Sequence, residues 1–219
     1  MKIERRKTDR REHTGIRADL ARLSHLPESP GRVCGPDCRT VCPICSLTSC
    51  TCQCSRDCPD IPHQMTSDPN FPIESGIAPL VFELEQLGVF EPCWSCEGHN
   101  DASGALWKIP RVWFYCDSVV QVRLLSDVLK NLKIDEMTIA PWQVRLTFSN
   151  EDNPLTTFSI RPDIGPNDSY ALEKLQGDIR AITQFLRPMM LKGASQLAAF
   201  LDSDSDSAVE DSNQVQSST

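Results

Sequence analysis

The spacing of its cysteines limits this chain more than any other feature. Eight of its eleven cysteines fall in one short run: Cys34, Cys38, Cys42, Cys45, Cys50, Cys52, Cys54 and Cys58. So few large apolar side chains accompany them that the segment cannot enclose a hydrophobic core. Segments of this kind are held by cross-links or by metal. Eight thiolates suit two tetrahedral zinc sites of four sulfurs each, and they also suffice for an iron–sulfur cluster with ligands to spare. Disulfides are the third choice, and they need an oxidising compartment. Gly35, Pro36 and Pro43 supply the sharp turns that short ligand spacings require. The Cys42-x-x-Cys45 pair favours zinc as the cofactor, with an iron–sulfur cluster as the alternative. Cys38, Cys42 and Cys45 also have the spacing of the cluster motif in radical S-adenosylmethionine enzymes. Those enzymes need a large α/β barrel, and the chain beyond Cys58 is too short for one.

Charge divides the rest of the chain. Residues 1–33 carry nine Lys/Arg against five Asp/Glu, in a chain whose net charge is −8. This stretch is expected to be a basic arm with a short helix, because Ile16, Leu20 and Leu23 recur at helical spacing before Pro27. From Asp202 onward there are five acids and no bases. Such a composition cannot offset its chain entropy by burial, so residues 202–219 are expected to form a disordered tail. Pro59, Pro62, Pro69 and Pro72 mark 59–72 as an extended linker. No apolar run is long enough for a membrane span. No apolar stretch follows the basic N-terminus as it would in a secretory signal, so the cytoplasm is the expected compartment.

Residues 73–201 have the periodicity of one α+β domain. Ser75 is placed to cap a helix carrying Ile77, Leu80, Val81, Leu84 and Leu87, with Gly88 ending it. A strand-like run, Val89 to Cys96, follows, and Arg111 to Cys116 is aromatic and β-prone. Ser118 and Gln121 have capping-box spacing before an amphipathic helix through Leu132. Trp142, Val144, Leu146 and Phe148 alternate with polar partners, and Thr156, Phe158 and Ile160 answer them across a turn. A last helix repeats Leu172, Leu175, Ile179, Ile182 and Leu186 and is expected to stop near Pro188. Tight turns and the lack of β-α-β alternation predict an antiparallel or mixed sheet with helices on one face. That domain would follow the Cys-rich metal-binding module, with disordered termini at either end. No Walker loop, Gly-x-Gly-x-x-Gly, Gly-x-Ser-x-Gly or His-Glu-x-x-His occurs, so nucleotide binding and the common hydrolase mechanisms lack motif support.

The second chemical cluster is Pro92-Cys93-Trp94-Ser95-Cys96-Glu97-Gly98-His99. Cys93, Cys96 and His99 have metal-ligand spacing, and Cys116 is a candidate fourth ligand from the next strand. Against this, a cysteine beside Trp in a strand is commonly a small core residue. A regular strand puts Cys93 and Ser95 on one face and Trp94 and Cys96 on the other. Two cysteines three apart therefore need a bulge between them to share an ion. The packing alternative buries Trp94 and Cys96 in the core. Ser95, Glu97 and Gly98 complete the candidate set, and Glu97 and His99 are of types that carry acid–base chemistry.

The motif resembles a Pro-Cys-Trp-Ser-Cys-Glu-Gly-His signature of proteobacterial proteins with a Cys-rich N-terminal segment. More distantly, the segment from Ile77 to Tyr115 is similar to the Ser-Cys-x-Gly stretch of the tRNA wybutosine-synthesising methyltransferase-like family. Only Ser95, Cys96, Gly98 and His99 carry over. Glu97 stands where that family has a small residue and His99 where it has Arg, and both departures weaken a transfer of its activity. Three functions fit the sequence: a zinc- or iron–sulfur-binding interaction protein, an RNA-modifying or other enzyme around the Ser-Cys-Glu-Gly-His turn, and metal or redox sensing by clustered thiolates. The partner would be a protein or a nucleic acid.

Overall fold

In a computed structural model, the structure describes residues 10–24, 46, 56–66, 68, 70–150, 153–165 and 168–214. Of the eight clustered cysteines only Cys58 lies among them. Cys34, Cys38, Cys42, Cys45, Cys50, Cys52 and Cys54 fall outside the described residues.

The fold is α+β. Its sheet is fully antiparallel, with the order β1 (Glu91–Cys96), β4 (Arg111–Tyr115), β6 (Asn153–Pro162), β5 (Trp142–Asn150). A two-stranded ribbon, β2 (His99–Asn100) and β3 (Leu106–Lys108), lies between β1 and β4 in the chain. Four helices supply the core: α1 (Arg10–Ser24), α3 (Ala78–Gln86), α4 (Val119–Ile134) and α5 (Leu172–Gln214). Leu20 and Leu23 of α1, Leu80 and Leu84 of α3, Leu125 and Leu129 of α4, and Ile179, Ile182 and Leu186 of α5 enclose Val112, Phe114, Ile160 and Trp142 of the sheet. The residues that alternate with those sheet residues, such as Trp94 and Trp113, take no part in this cluster. One face of the sheet is thus helix-covered and the other is not.

Several sequence expectations change here. The basic N-terminal stretch is docked through α1. Leu20 and Leu23 are 1% and 0% exposed, and each such burial is worth about 1.5–3 kcal/mol. Ser118 caps α4 as expected, but Gln121 does not reach back to it. Instead the Gln121 amide donates to the Asp19 carbonyl at 2.9 Å, and the Ser118 hydroxyl donates to the Asp19 carboxylate at 2.6 Å. The tertiary partner outcompetes the local capping box.

The expected linker is partly folded as well. It contains α2 (Ile61–Gln64), started by Pro62, with Ile61 and Cys58 buried. Arg56 donates to Glu83 and to the Thr183 carbonyl, fastening this stretch to α3 and α5. Packing therefore begins well before residue 73.

Helix α3 starts at Ala78 with Ile77 as its cap, and Ser75 makes no capping bond. Helix α5 passes through Pro188 instead of stopping there. Gln184, whose carbonyl loses its partner, and Pro188 are both on the solvent side, where water can take the bond. Met190, Ala194 and Leu201 continue the buried stripe, so packing sustains the helix beyond the proline. Arg17 pairs with Asp202 at 3.0 Å and donates to the Leu201 carbonyl at 2.9 Å. The helical backbone goes on to Gln214, inside the stretch expected to be a tail.

Asp178 ties α5 to the start of β5. It is 2% exposed and accepts three hydrogen bonds, from the Ile139 and Ala140 backbone N–H groups at 2.7 and 2.9 Å and from the Trp142 indole at 2.9 Å. The expected alternation of β5 holds only at its base. Trp142 is buried, but Leu146 is 61% exposed because the hairpin runs out past the helices.

Candidate metal centre

The chemistry gathers where β1 turns into β2. Glu74, Cys96 and His99 each present one ligand atom there, and the three atoms lie within 4.8 Å of one another. Cys96 ends β1 and is 5% exposed. The Glu74 and His99 side chains are 35% and 38% exposed, so the cluster opens to water on one side.

Two carboxylates build this arrangement reciprocally. Glu74 Oε2 accepts the Glu97 backbone N–H at 2.7 Å, and Glu97 Oε2 accepts the Gly76 backbone N–H at 2.7 Å. The loop before α3 and the turn after β1 thereby hold each other. Glu74 Oε1 is left to meet His99 Nε2 at 2.8 Å. Both glycines are required. A Cβ on Gly76 would sit 2.6 Å from Glu97 Oε2. Gly98 has φ +88°, and a Cβ there would meet Leu172 at 2.7 Å and Pro110 at 2.9 Å.

The sequence candidates separate around this point. Cys96 and His99 come together. Cys93 does not join them: it is the extra residue of a β-bulge between Pro92 and Trp94, and it is exposed. The bulge that a shared ion would need is present, but it turns Cys93 away from Cys96. Ser95 instead lines a cavity of about 320 Å³ with Met65, Ile73 and Val81. Glu97 orients rather than ligates, and Gly98 makes the turn. Cys116 lies beyond the opposite end of β4, about 16 Å of strand from Arg111, the cross-strand partner of Cys96. It contacts the Ser118 carbonyl and the Gln121 amide oxygen and is no fourth ligand. The packing alternative is half right: Cys96 is buried, but Trp94 is 43% exposed on the uncovered face. Glu74 was not a sequence candidate. Nothing local marks it, since it meets the motif only through the 23-residue loop that α3 closes.

A zinc ion takes nitrogen and oxygen ligands at about 2.0–2.2 Å and sulfur at about 2.3 Å, and this donor set matches those preferences. Ligands around such an ion stand roughly 3.3 Å or more apart, so the Glu74–His99 contact would open by about half an ångström. The half-exposed side chains permit that. The Glu97 N–H on Glu74 is the kind of outer partner that orients a ligating carboxylate. One sulfur is too few for an iron–sulfur cluster, which these three residues alone do not fit.

Burial pushes the Cys96 thiol above its ordinary value, and the Glu74 charge adds to this, against the Gly98 N–H, Arg111 and Lys108. Burial likewise raises Cys93 and Cys116. Reactive thiolates have lowered values, so none of the three has the setting of a nucleophile or redox sensor. No disulfide joins Cys58, Cys93, Cys96 or Cys116. Among the described residues no helix is long and apolar enough to cross a membrane. No family model, no curated protein and no solved structure matches the chain.

Proposed function

We propose that this chain is a metal-binding interaction protein that holds zinc at Glu74, Cys96 and His99. The carrying observation is the convergence of three donors of zinc-compatible type within 4.8 Å, on one half-open edge of a rigid sheet. The 34–58 cysteines would form a separate module, with two zinc ions or an iron–sulfur cluster, and the α+β domain would serve as scaffold. Three protein ligands leave a position for water, as in catalytic zinc sites. That count favours, as a second function, a metal-dependent enzyme acting at this turn.

Cobalt(II) tests the site. In full-length protein with Cys34, Cys38, Cys42, Cys45, Cys50, Cys52 and Cys54 changed to serine, one cobalt ion should bind with the absorption of a single thiolate. Cys96→Ser should remove the charge-transfer band, and His99→Ala and Glu74→Gln should each lower affinity. Azide shifting the visible spectrum would show an exchangeable fourth position. A chain that binds no cobalt, or binds it unchanged in all three variants, has no metal centre here.

A further inference from the structure

The sheet face that no described helix covers is a patterned surface. Cross-strand register sorts its side chains into rows. One row runs Cys96, Arg111, Arg161, Gln143, and the next runs Trp94, Trp113, Ser159, Arg145. In the first row three of the four residues carry an unused donor. Arg111 Nε, Arg161 Nε and Gln143 Nε2 are buried with no hydrogen-bond partner. Native structures rarely leave such groups unpaired, so three on one row call for an acceptor that comes from outside the fold.

The charge points the same way. Arg111, Arg145 and Arg161 crowd together closely enough that Arg161 is held below its ordinary value, by burial first and then by the other two guanidiniums. Their one carboxylate partner among the described residues is Asp163, on Arg145 at 2.9 Å. An uncompensated cation group in a chain of net charge −8 is locally complementary to an anion.

The second row says what kind of anion. The Trp94 and Trp113 rings lie 5.2 Å apart, with the Arg111 guanidinium 4.8 Å from one ring centre and 5.6 Å from the other. Flat aromatic rings beside a cationic track are how proteins hold single strands: bases stack and phosphates pair. An open face suits a polymer better than a small anion, which would want a pocket.

We propose that this face binds single-stranded nucleic acid, with phosphates along Arg111, Arg161, Gln143 and Arg145 and a base on Trp94. The proposal stands apart from the metal centre and requires no metal. Fluorescence anisotropy of the full chain with a labelled 12-nucleotide RNA, the same sequence as DNA, and its duplex tests it. Saturable binding of a single strand, tighter than the duplex, is expected, and the RNA and DNA arms show which sugar is preferred. Trp94→Ala should weaken binding about 5- to 150-fold, the range for one stacked base. Arg161→Gln and Arg145→Gln should each reduce the salt slope by about 0.7. Arg123→Gln, on the far side in α4, should change nothing. Arg145 is half exposed, so its variant folds whatever the role of the others. Absence of saturable binding at low salt, indifference to both Trp94→Ala and Arg145→Gln, or equal binding of the duplex overturns the proposal. So does polyglutamate binding as tightly as RNA, which would point to an acidic polypeptide instead.

Discussion

Asp178 and Glu74 are both carboxylates that receive backbone N–H groups, and they differ in what is left over. Asp178 is buried and takes three donors, so its lone pairs are spent inside the fold. Glu74 takes one backbone donor on one oxygen and turns the other, half exposed, toward His99. A satisfied carboxylate locks an element in place. A carboxylate with one oxygen in reserve is available for exchange, and a metal ion can replace the proton it shares with imidazole.

The contrast is sharpest in stability. Asp178→Ala strands three donors, two backbone and one indole, each costing about 1–3 kcal/mol. Urea unfolding should show a loss of roughly 3–6 kcal/mol, with Asp178→Asn losing less because one acceptor oxygen remains. Glu74→Gln keeps an oxygen for the Glu97 N–H and should cost the metal-free chain under about 1 kcal/mol. A loss at Glu74 equal to that at Asp178 would erase the distinction.

Gly98→Ala comes next. Strain at positive φ and contact with Leu172 and Pro110 should together cost about 2–4 kcal/mol by the same measurement. Because Gly98 also sets the direction of His99, zinc affinity should fall with it. A stable Gly98→Ala chain with unchanged zinc binding would show that the turn geometry does not build the site.

In zinc affinity the order of the two carboxylates reverses. Glu74→Gln should weaken binding by more than the roughly 10- to 100-fold typical of a lost orienting partner, while Asp178→Asn should leave it unchanged. Calorimetric titration of the serine-substituted full chain checks both.

The smallest effect concerns Glu83, a third partly buried carboxylate. Burial raises it above the ordinary 4.5, and Arg56 and Arg187 only partly offset this. Folding thus favours its protonated form. Its contribution is fully present below pH 4.5 and is lost as pH rises through the higher folded value. Glu83→Gln should flatten the stability profile in the window just above pH 4.5. A profile identical to that of the parent would mean the Arg56 pair cancels the burial cost.

How much of this was legible in the sequence depends on the range of each interaction. The hairpin, α4 and the β1 and β4 strands are announced by periodicity and turn residues, which act over a few positions. Cys96, Gly98 and His99 stood out because the motif is local. Glu74, Asp178 and the donors on Asp19 did not, since each meets its partner only across a loop or between elements. The row of Arg111, Arg161 and Gln143 was invisible for the same reason: strand register alone brings together residues so far apart in the chain. Pro188 misled in the opposite sense, because a local stop signal was overridden by the buried stripe beyond it.

The bulge at Cys93 bears on how copies of the molecule meet. Strands β1 and β5 form the two rims of the sheet. On β1, Pro92 offers no N–H and Cys93 throws the register off by one, so an incoming strand finds no continuous ladder to extend. That rim is closed to self-templated growth, which protects the edge carrying Cys96 from being sealed by a neighbour. Strand β5 has no proline between Trp142 and Asn150, so any strand recruited by this sheet has its docking edge there, at the opposite side from the metal ligands.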